Sequence, residues 1–240
     1  MLEIKNLTKK YDSKIAVDNL SLTIADSTIY GFIGHNGAGK STTIKSITGI
    51  LEFDEGDIIF DDLSVKTNPI EFKKEIAYIP DMPAVYQYMK GIQYINFVAD
   101  IYDVSQTDRK ERVEKYADLF ELTKALGDYT SSYSHGMQQK LSLIAALVHE
   151  PKLLILDEPF VGLDPKSSYN LKEIMKNLCD EGKIVFFSTH ILEVAEKLCT
   201  HIGIIENGKM KINGKTEDVL KDKTLEDIAL EGVLKTGDGT

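Results

Sequence analysis

The 240-residue sequence predicts an α/β fold with a mostly parallel sheet, an N-terminal antiparallel β subdomain and an inserted α-helical subdomain. Three observations predict it. Residues 2–8 and 20–25 alternate apolar and polar side chains, with Leu2 and Ile4, then Leu20, Leu22 and Ile24, on one face, as antiparallel strands covering a core do. From Ile76 to Glu206, short aliphatic runs alternate instead with helical stretches, the pattern of parallel strands covered on both faces. Between these regions, a glycine-rich stretch, Gly34–Thr42, joins an apolar strand at Ile29–Ile33 to a helix at Thr43–Ile50.

That stretch reads as a phosphate cradle. Gly34, four residues, Gly39, Lys40 and Ser41 have P-loop spacing, and the strand before and helix after supply the context the motif requires, so the core is that of a P-loop NTPase. Gly34, Gly37 and Gly39 permit backbone angles and close approaches that a Cβ forbids. The amides running through His35, Asn36 and Ala38 can then converge on phosphate oxygens at a helix N-terminus. Lys40 brings a positive charge to the β- and γ-phosphates, and the Ser41 hydroxyl is placed to bind Mg2+ held by them. Thr42 adds a further donor.

The other elements follow in order. Tyr11 falls in a mobile turn between the first two strands, where its ring either stacks on a nucleotide base or simply packs. Asp57–Phe60 reads as a strand, Pro69–Lys74 as a helix and Ile76–Ile79 as a strand ended by Pro80. Residues 81–150 change character: helical periodicity in Ile92–Tyr102, Arg109–Phe120 and Gly136–His149 marks an insertion. Strands resume at Leu153–Leu156, Ile184–Ser188 and His201–Glu206, with helices at Ser167–Cys179 and Leu192–Leu198 between them. Gly208 and Gly214 bracket a last short strand, and from Thr216 a charged helix leads into a Gly-rich tail expected to fray.

Three further constellations carry chemistry. Leu153–Leu156 delivers Asp157 and Glu158 at the carboxyl end of a buried strand, the end at which open parallel sheets bind ligands. Asp157 suits a magnesium ion held through water and Glu158 a general base acting on the attacking water; the bland alternative is an exposed acidic turn. Ser134, His135 and Gly136 open an amphipathic helix whose N-terminus is either merely capped by Ser134 or also an anion site. His190, following Ile184–Ser188, either meets a γ-phosphate or packs.

Composition narrows the classes. With 28 basic and 38 acidic side chains the net charge is −10, which argues against nucleic acid as the main partner. No run approaches eighteen apolar residues and no signal peptide is evident, so a cytosolic chain is expected. Cys179 and Cys199 lack metal-ligand spacing and read as buried, reduced thiols.

Taken together, these motifs resemble the ATP-binding cassette of ABC transporters, specifically the separate nucleotide-binding subunit. The likeness covers residues 1–220, with a helical subdomain at about 81–150, and leaves 221–240 as a short C-terminal extension. Tyr11 matches the family's adenine-stacking aromatic, Gly34–Thr42 its Walker A loop, Asp81 its glutamine loop and Ser134–Gln138 its signature. Leu153–Glu158 matches Walker B, Gly162–Pro165 the dimer-contacting loop and Ser188–His190 the switch histidine. The resemblance implies ATP and Mg2+ as ligands, with Glu158 orienting the water and His190 sensing the γ-phosphate. It implies a head-to-tail pair of cassettes, homodimer or paralogue, in which Ser134 and Gly136 serve the ATP of the opposite subunit. It implies also a transmembrane permease partner, which holds this cytoplasmic chain at the inner face of the cell membrane.

Two departures stand out. Asp81 replaces a glutamine that contributes an oxygen to magnesium. The signature, usually Leu-Ser-Gly-Gly-Gln, here reads Tyr133, Ser134, His135, Gly136 and Met137, and the methionine resembles bacterial exporters of drugs, peptides and lipids, which favours export. A soluble ATP-driven clamp on nucleic acid or ribosomes is the alternative; such proteins usually add a coiled-coil insertion or a second cassette. A small-molecule kinase on the same loop is disfavoured by the serine-led signature and His190.

Overall fold

The computed structural model describes residues 1–221 and 223–229. Residues 230–240 of the tail expected to fray lie outside the described residues. An antiparallel sheet of order β2-β1-β4-β5 is built from β1 (Leu2–Tyr11), β2 (Lys14–Ile24), β4 (Glu55–Phe60) and β5 (Leu63–Ser64). A second sheet, of order β10-β9-β3-β8-β7-β6, takes β3 (Thr28–Ile33), β6 (Ile76–Ile79), β7 (Leu153–Asp157), β8 (Ile184–Thr189), β9 (His201–Glu206) and β10 (Lys209–Lys215). Its ladders are parallel except for the β9–β10 hairpin.

The parallel strands are buried on both faces because alternate residues serve two different cores. Ile29, Leu154, Leu156, Val185 and Phe187 join one core with Ile95, Val113, Ala117 and Ile144 of the helices α3 (Gly91–Ile101), α4 (Gln106–Leu119) and α5 (His135–Leu147). Tyr30, Phe32, Leu153, Ile155 and Phe186 join the other, beneath the antiparallel sheet and α1 (Lys40–Ile47). The helical insertion therefore shares its core with the sheet. The remaining helices are α2 (Pro69–Glu75), α6 (Pro165–Asp180), α7 (Leu192–Leu198), α8 (Thr216–Leu220) and α9 (Leu225–Ile228). Cys179 and Cys199 are buried free thiols.

Tyr11 departs from the sequence reading: it is the last residue of β1, paired with Lys14, and sits in no mobile turn. The two strands form one long hairpin, in which register shifts after Ile4, Leu7 and Lys9 break the alternation that a strand is recognised by.

One histidine ties insertion to sheet. His149 stacks on Tyr102, at the end of α3, with centroids 3.6 Å and planes 11° apart, and its Nε2 lies 3.2 Å from the Ile76 carbonyl of β6. The ring is neutral with Nε2–H donating, so Nδ1 is bare, buried and unpartnered among the described residues. Burial, reinforced by the Arg112 charge and partly offset by the bond to Ile76, lowers its pKa from 6.5 to about 4. The unfolded chain then binds more protons between these values, so this contribution is complete above pH 6.5 and is lost as pH falls toward 4. Denaturant unfolding at stepped pH should show His149→Gln flattening the acid side of the profile by on the order of 2–3 kcal/mol relative to the natural chain.

Candidate nucleotide-binding site

The glycine loop is held from three sides. Gly39 caps α1 with φ 112°, and a Cβ there would meet the Ala16 carbonyl oxygen at 2.7 Å, so β2 closes on backbone that only glycine supplies. The Ala38 amide donates to His35 O at 3.1 Å, and the Gly208 amide, from the β9–β10 turn, donates to Ala38 O at 2.8 Å. The Asp18 amide of β2 in turn donates to Gly208 O at 2.9 Å. The first amides of α1 carry the positive end of its dipole.

Lys40 is only 6% exposed. Its ammonium donates to Gly34 O at 2.7 Å and reaches His35 O at 3.4 Å, with a Glu158 carboxylate oxygen at 3.6 Å. The other oxygen of that carboxylate lies 2.9 Å from His190 Nδ1 and accepts the His190 amide at 3.4 Å. Glu158 has φ 48°, a left-handed conformation that ends the strand alternation and turns its carboxylate to the same cavity as Asp157. Ser188 locks the corner: its hydroxyl donates to the Asp157 carboxylate and accepts the Glu158 amide at 3.1 Å. Asp157, 2% exposed, and Ser188 are opposite each other in the β7–β8 register.

These groups open into a cavity of about 440 Å³. It is lined by Tyr11, 46% exposed, by His35, Asn36, Gly37 and Gly39–Thr42 of the glycine loop, and by Asp81, Asp157 and Glu158. Ser41, Asp81 and Asp157 offer a hydroxyl and two carboxylates, hard oxygen donors of the kind magnesium takes. Sequence reasoning missed Ala16, Asn207 and Gly208, which also line the cavity. Gly208 was visible only as the end of a strand; nothing in the local sequence tells that its amide meets Ala38.

Ser134, Gly136 and His190 do not line this cavity. His190 reaches it through Glu158. Ser134 is exposed and caps α5, accepting the Met137 amide at 3.3 Å. A Cβ at Gly136 would meet Gly162 O at 2.8 Å, and Lys140 pairs with Asp164 at 2.6 Å. Asp164 caps α6 by accepting the Ser167 amide at 2.8 Å, and the Lys140 hydrogen bond, with that cap, holds its carboxyl well below the usual range. The start of α5 and the 162–164 turn therefore form one braced unit.

A glycine loop that feeds a helix beside a sheet-end carboxylate pair, with a buried lysine between them, defines a P-loop nucleoside triphosphatase. The chain belongs to the ABC transporter family, whose model matches residues 17–161. It is similar to the ABC-type transporter ATP-binding protein EcsA of Bacillus subtilis (strain 168), 34% identical over 236 residues and covering 96% of each chain. It is likewise 33% identical over 219 residues to the linearmycin resistance ATP-binding protein LnrL of the same strain, across 91% of this chain and 70% of that one. The solved structure of an ATP binding subunit of an ABC transporter superposes with TM-score 0.92 at 31% identity, covering 96% of this chain and 98% of that chain. A model described as an AAA domain, putative AbiEii toxin, also matches residues 127–196, the carboxylate side of the same core. The chain is thus an ATP-binding subunit, and ATP hydrolysis that drives transport is its activity.

Gly39 and Gly37 differ in a checkable way. Gly37 has φ 81° with open space around a would-be Cβ, whereas Gly39 has both strain and a backbone collision. Gly37→Ala should cost about 1–3 kcal/mol of strain or less, while Gly39→Ala should exceed that range and also weaken ATP binding; denaturant unfolding and titration with a fluorescent ATP analogue measure the two effects.

Proposed function

We propose that residues 1–220 form the nucleotide-binding domain, with the helical subdomain at about 81–150 and 221–240 as a short extension. Tyr11 stacks on the adenine, and the amides and side chains of Gly34–Thr42 take the phosphates. Glu158 is the general base and His190 the γ-phosphate sensor. Ser41, Asp81 and Asp157 hold magnesium, which neutralises phosphate charge when bound. The observation that carries this reading is the Lys40–Glu158–His190 chain, whose first two members line the cavity together with the phosphate loop.

In this reading a triphosphate gives Lys40 a stronger partner than the carboxylate 3.6 Å away. Glu158 is then free to accept a proton from water, while His190 Nδ1 keeps the carboxylate oriented. The amides of α1 and the lysine ammonium meet charge that grows on the phosphate oxygens during transfer.

The second half of the proposal concerns partners. Ser134 and Gly136 stand outside the cavity, with the exposed α5 N-terminus available to the ATP of a second cassette, homodimer or paralogue. Among the described residues no helix is long and apolar enough to cross a membrane, so the moving path for cargo belongs to a permease subunit. The chain is then a cytoplasmic protein, peripheral to the membrane through that permease. Met137 in the signature, and the resistance named for the relative LnrL, favour export.

Glu158→Gln is expected to bind ATP, accumulate as a closed dimer on size exclusion and release phosphate roughly 10²–10⁴-fold more slowly. Lys40→Ala is expected to lose ATP binding itself. Ordinary turnover in Glu158→Gln contradicts the assigned base, and full turnover by a lone unpaired copy contradicts the shared site.

A further inference from the structure

Beside the strand that carries Asp157 lies a buried polar atom that the reading above does not use. Tyr78, in β6, packs against the core beneath the antiparallel sheet, and its hydroxyl is buried with no hydrogen-bond partner among the described residues. Its position follows from the sheet. Tyr78 is opposite Ile155 in the parallel β6–β7 register, so Asp157, two residues further along β7, is its diagonal neighbour on the same face. Asp81 follows three residues after Tyr78, past Pro80. Burial raises the pKa of the phenol, and the negative charges of Asp157 and Asp81 raise it further.

The two carboxylates differ in how firmly they are held. Asp157 is buried and already bonded to Ser188. Asp81 is exposed on a loop and accepts only the Met82 amide next to it, at 2.8 Å. A buried hydroxyl without a partner costs stability, so its presence where phenylalanine would fit calls for an explanation.

We propose that Tyr78 is a positioning residue: its hydroxyl donates to the Asp81 carboxylate once nucleotide and metal are bound, fixing that carboxylate beside Asp157. This rests on the assignment of Asp81 and Asp157 to the metal. The hydroxyl has one donor and Asp81 has an unused oxygen, so the bond satisfies both without disturbing the Ser188 lock. A hydrogen bond to a charged acceptor amounts to roughly a tenfold effect or more on affinity.

The test uses the full chain, a non-hydrolysable ATP analogue with either Mg2+ or EDTA, and the unfolding midpoint without nucleotide. Tyr78→Phe is expected to leave the nucleotide-free midpoint equal or higher and the EDTA affinity unchanged, while the Mg2+ affinity falls roughly tenfold. In an Asp81→Ala background the same substitution is expected to do nothing more. An unchanged Mg2+ affinity, a lowered midpoint, or an equal loss in the Asp81→Ala background overturns the role of Tyr78 alone. If the natural chain itself gains no affinity from Mg2+, the metal assignment fails and this inference falls with it.

Discussion

A lysine ammonium kept from water at the end of a buried sheet is the constraint on which the rest depends. An isolated buried charge costs several kcal/mol, so Lys40 must be given acceptors by the fold. It has two carbonyls and a carboxylate, and none of them is nearby in sequence by accident. Gly34 follows β3 and Glu158 follows β7, and β8 lies between these strands with Ile33 opposite Thr189 and Asp157 opposite Ser188. In-register parallel strands end at one level, so three loops distant in the chain converge there. The sheet is the device that puts Lys40, Glu158 and His190 within reach of one another.

The same geometry sets a competition. At 3.6 Å the Lys40–Glu158 contact is an ion pair too long for a hydrogen bond, whereas the lysine bond to Gly34 O at 2.7 Å is close. The carbonyl bond fixes the side chain, and the carboxylate supplies charge without fixing itself. His190 holds the far oxygen of Glu158 at 2.9 Å. A carboxylate held from one side by a histidine and loosely by a lysine can be released by a competing anion without its corner moving, because Ser188 anchors the Glu158 amide and the Asp157 carboxylate.

Local sequence carried most of this. The glycine spacing, the acid pair after four aliphatics and the serine cap of α5 are each determined within a few residues, and each appears where its pattern put it. What escaped was set by pairing across the chain. The bulges of β1 hid the outer part of the first hairpin, including Tyr11. β5, two residues long, has no period to detect. Ala16 and Gly208 enter the cavity because β2 and the β9–β10 turn meet over the phosphate loop, a contact between residues almost two hundred positions apart. Tyr78 escaped for another reason: a tyrosine in a short apolar strand reads as core, and only the absence of a partner for its hydroxyl marks it.

In the proposed reading, Asp81 in the place of the family's glutamine has an electrostatic meaning. Three carboxylates, Asp81, Asp157 and Glu158, share the cavity with the buried ammonium of Lys40. Lys40 offsets Glu158, its neighbour, and Ser188 donates only a neutral hydroxyl to Asp157. A triphosphate brought to the same cavity adds several further negative charges, and like charges at such separations repel strongly in a partly desolvated site. The amides of α1 and one lysine do not balance that sum. A divalent cation held by Asp81 and Asp157 would, which makes Asp81 a reason for tighter metal dependence in our reading. With a glutamine in its place the same oxygen would be offered without the charge, and the demand for the cation would be weaker.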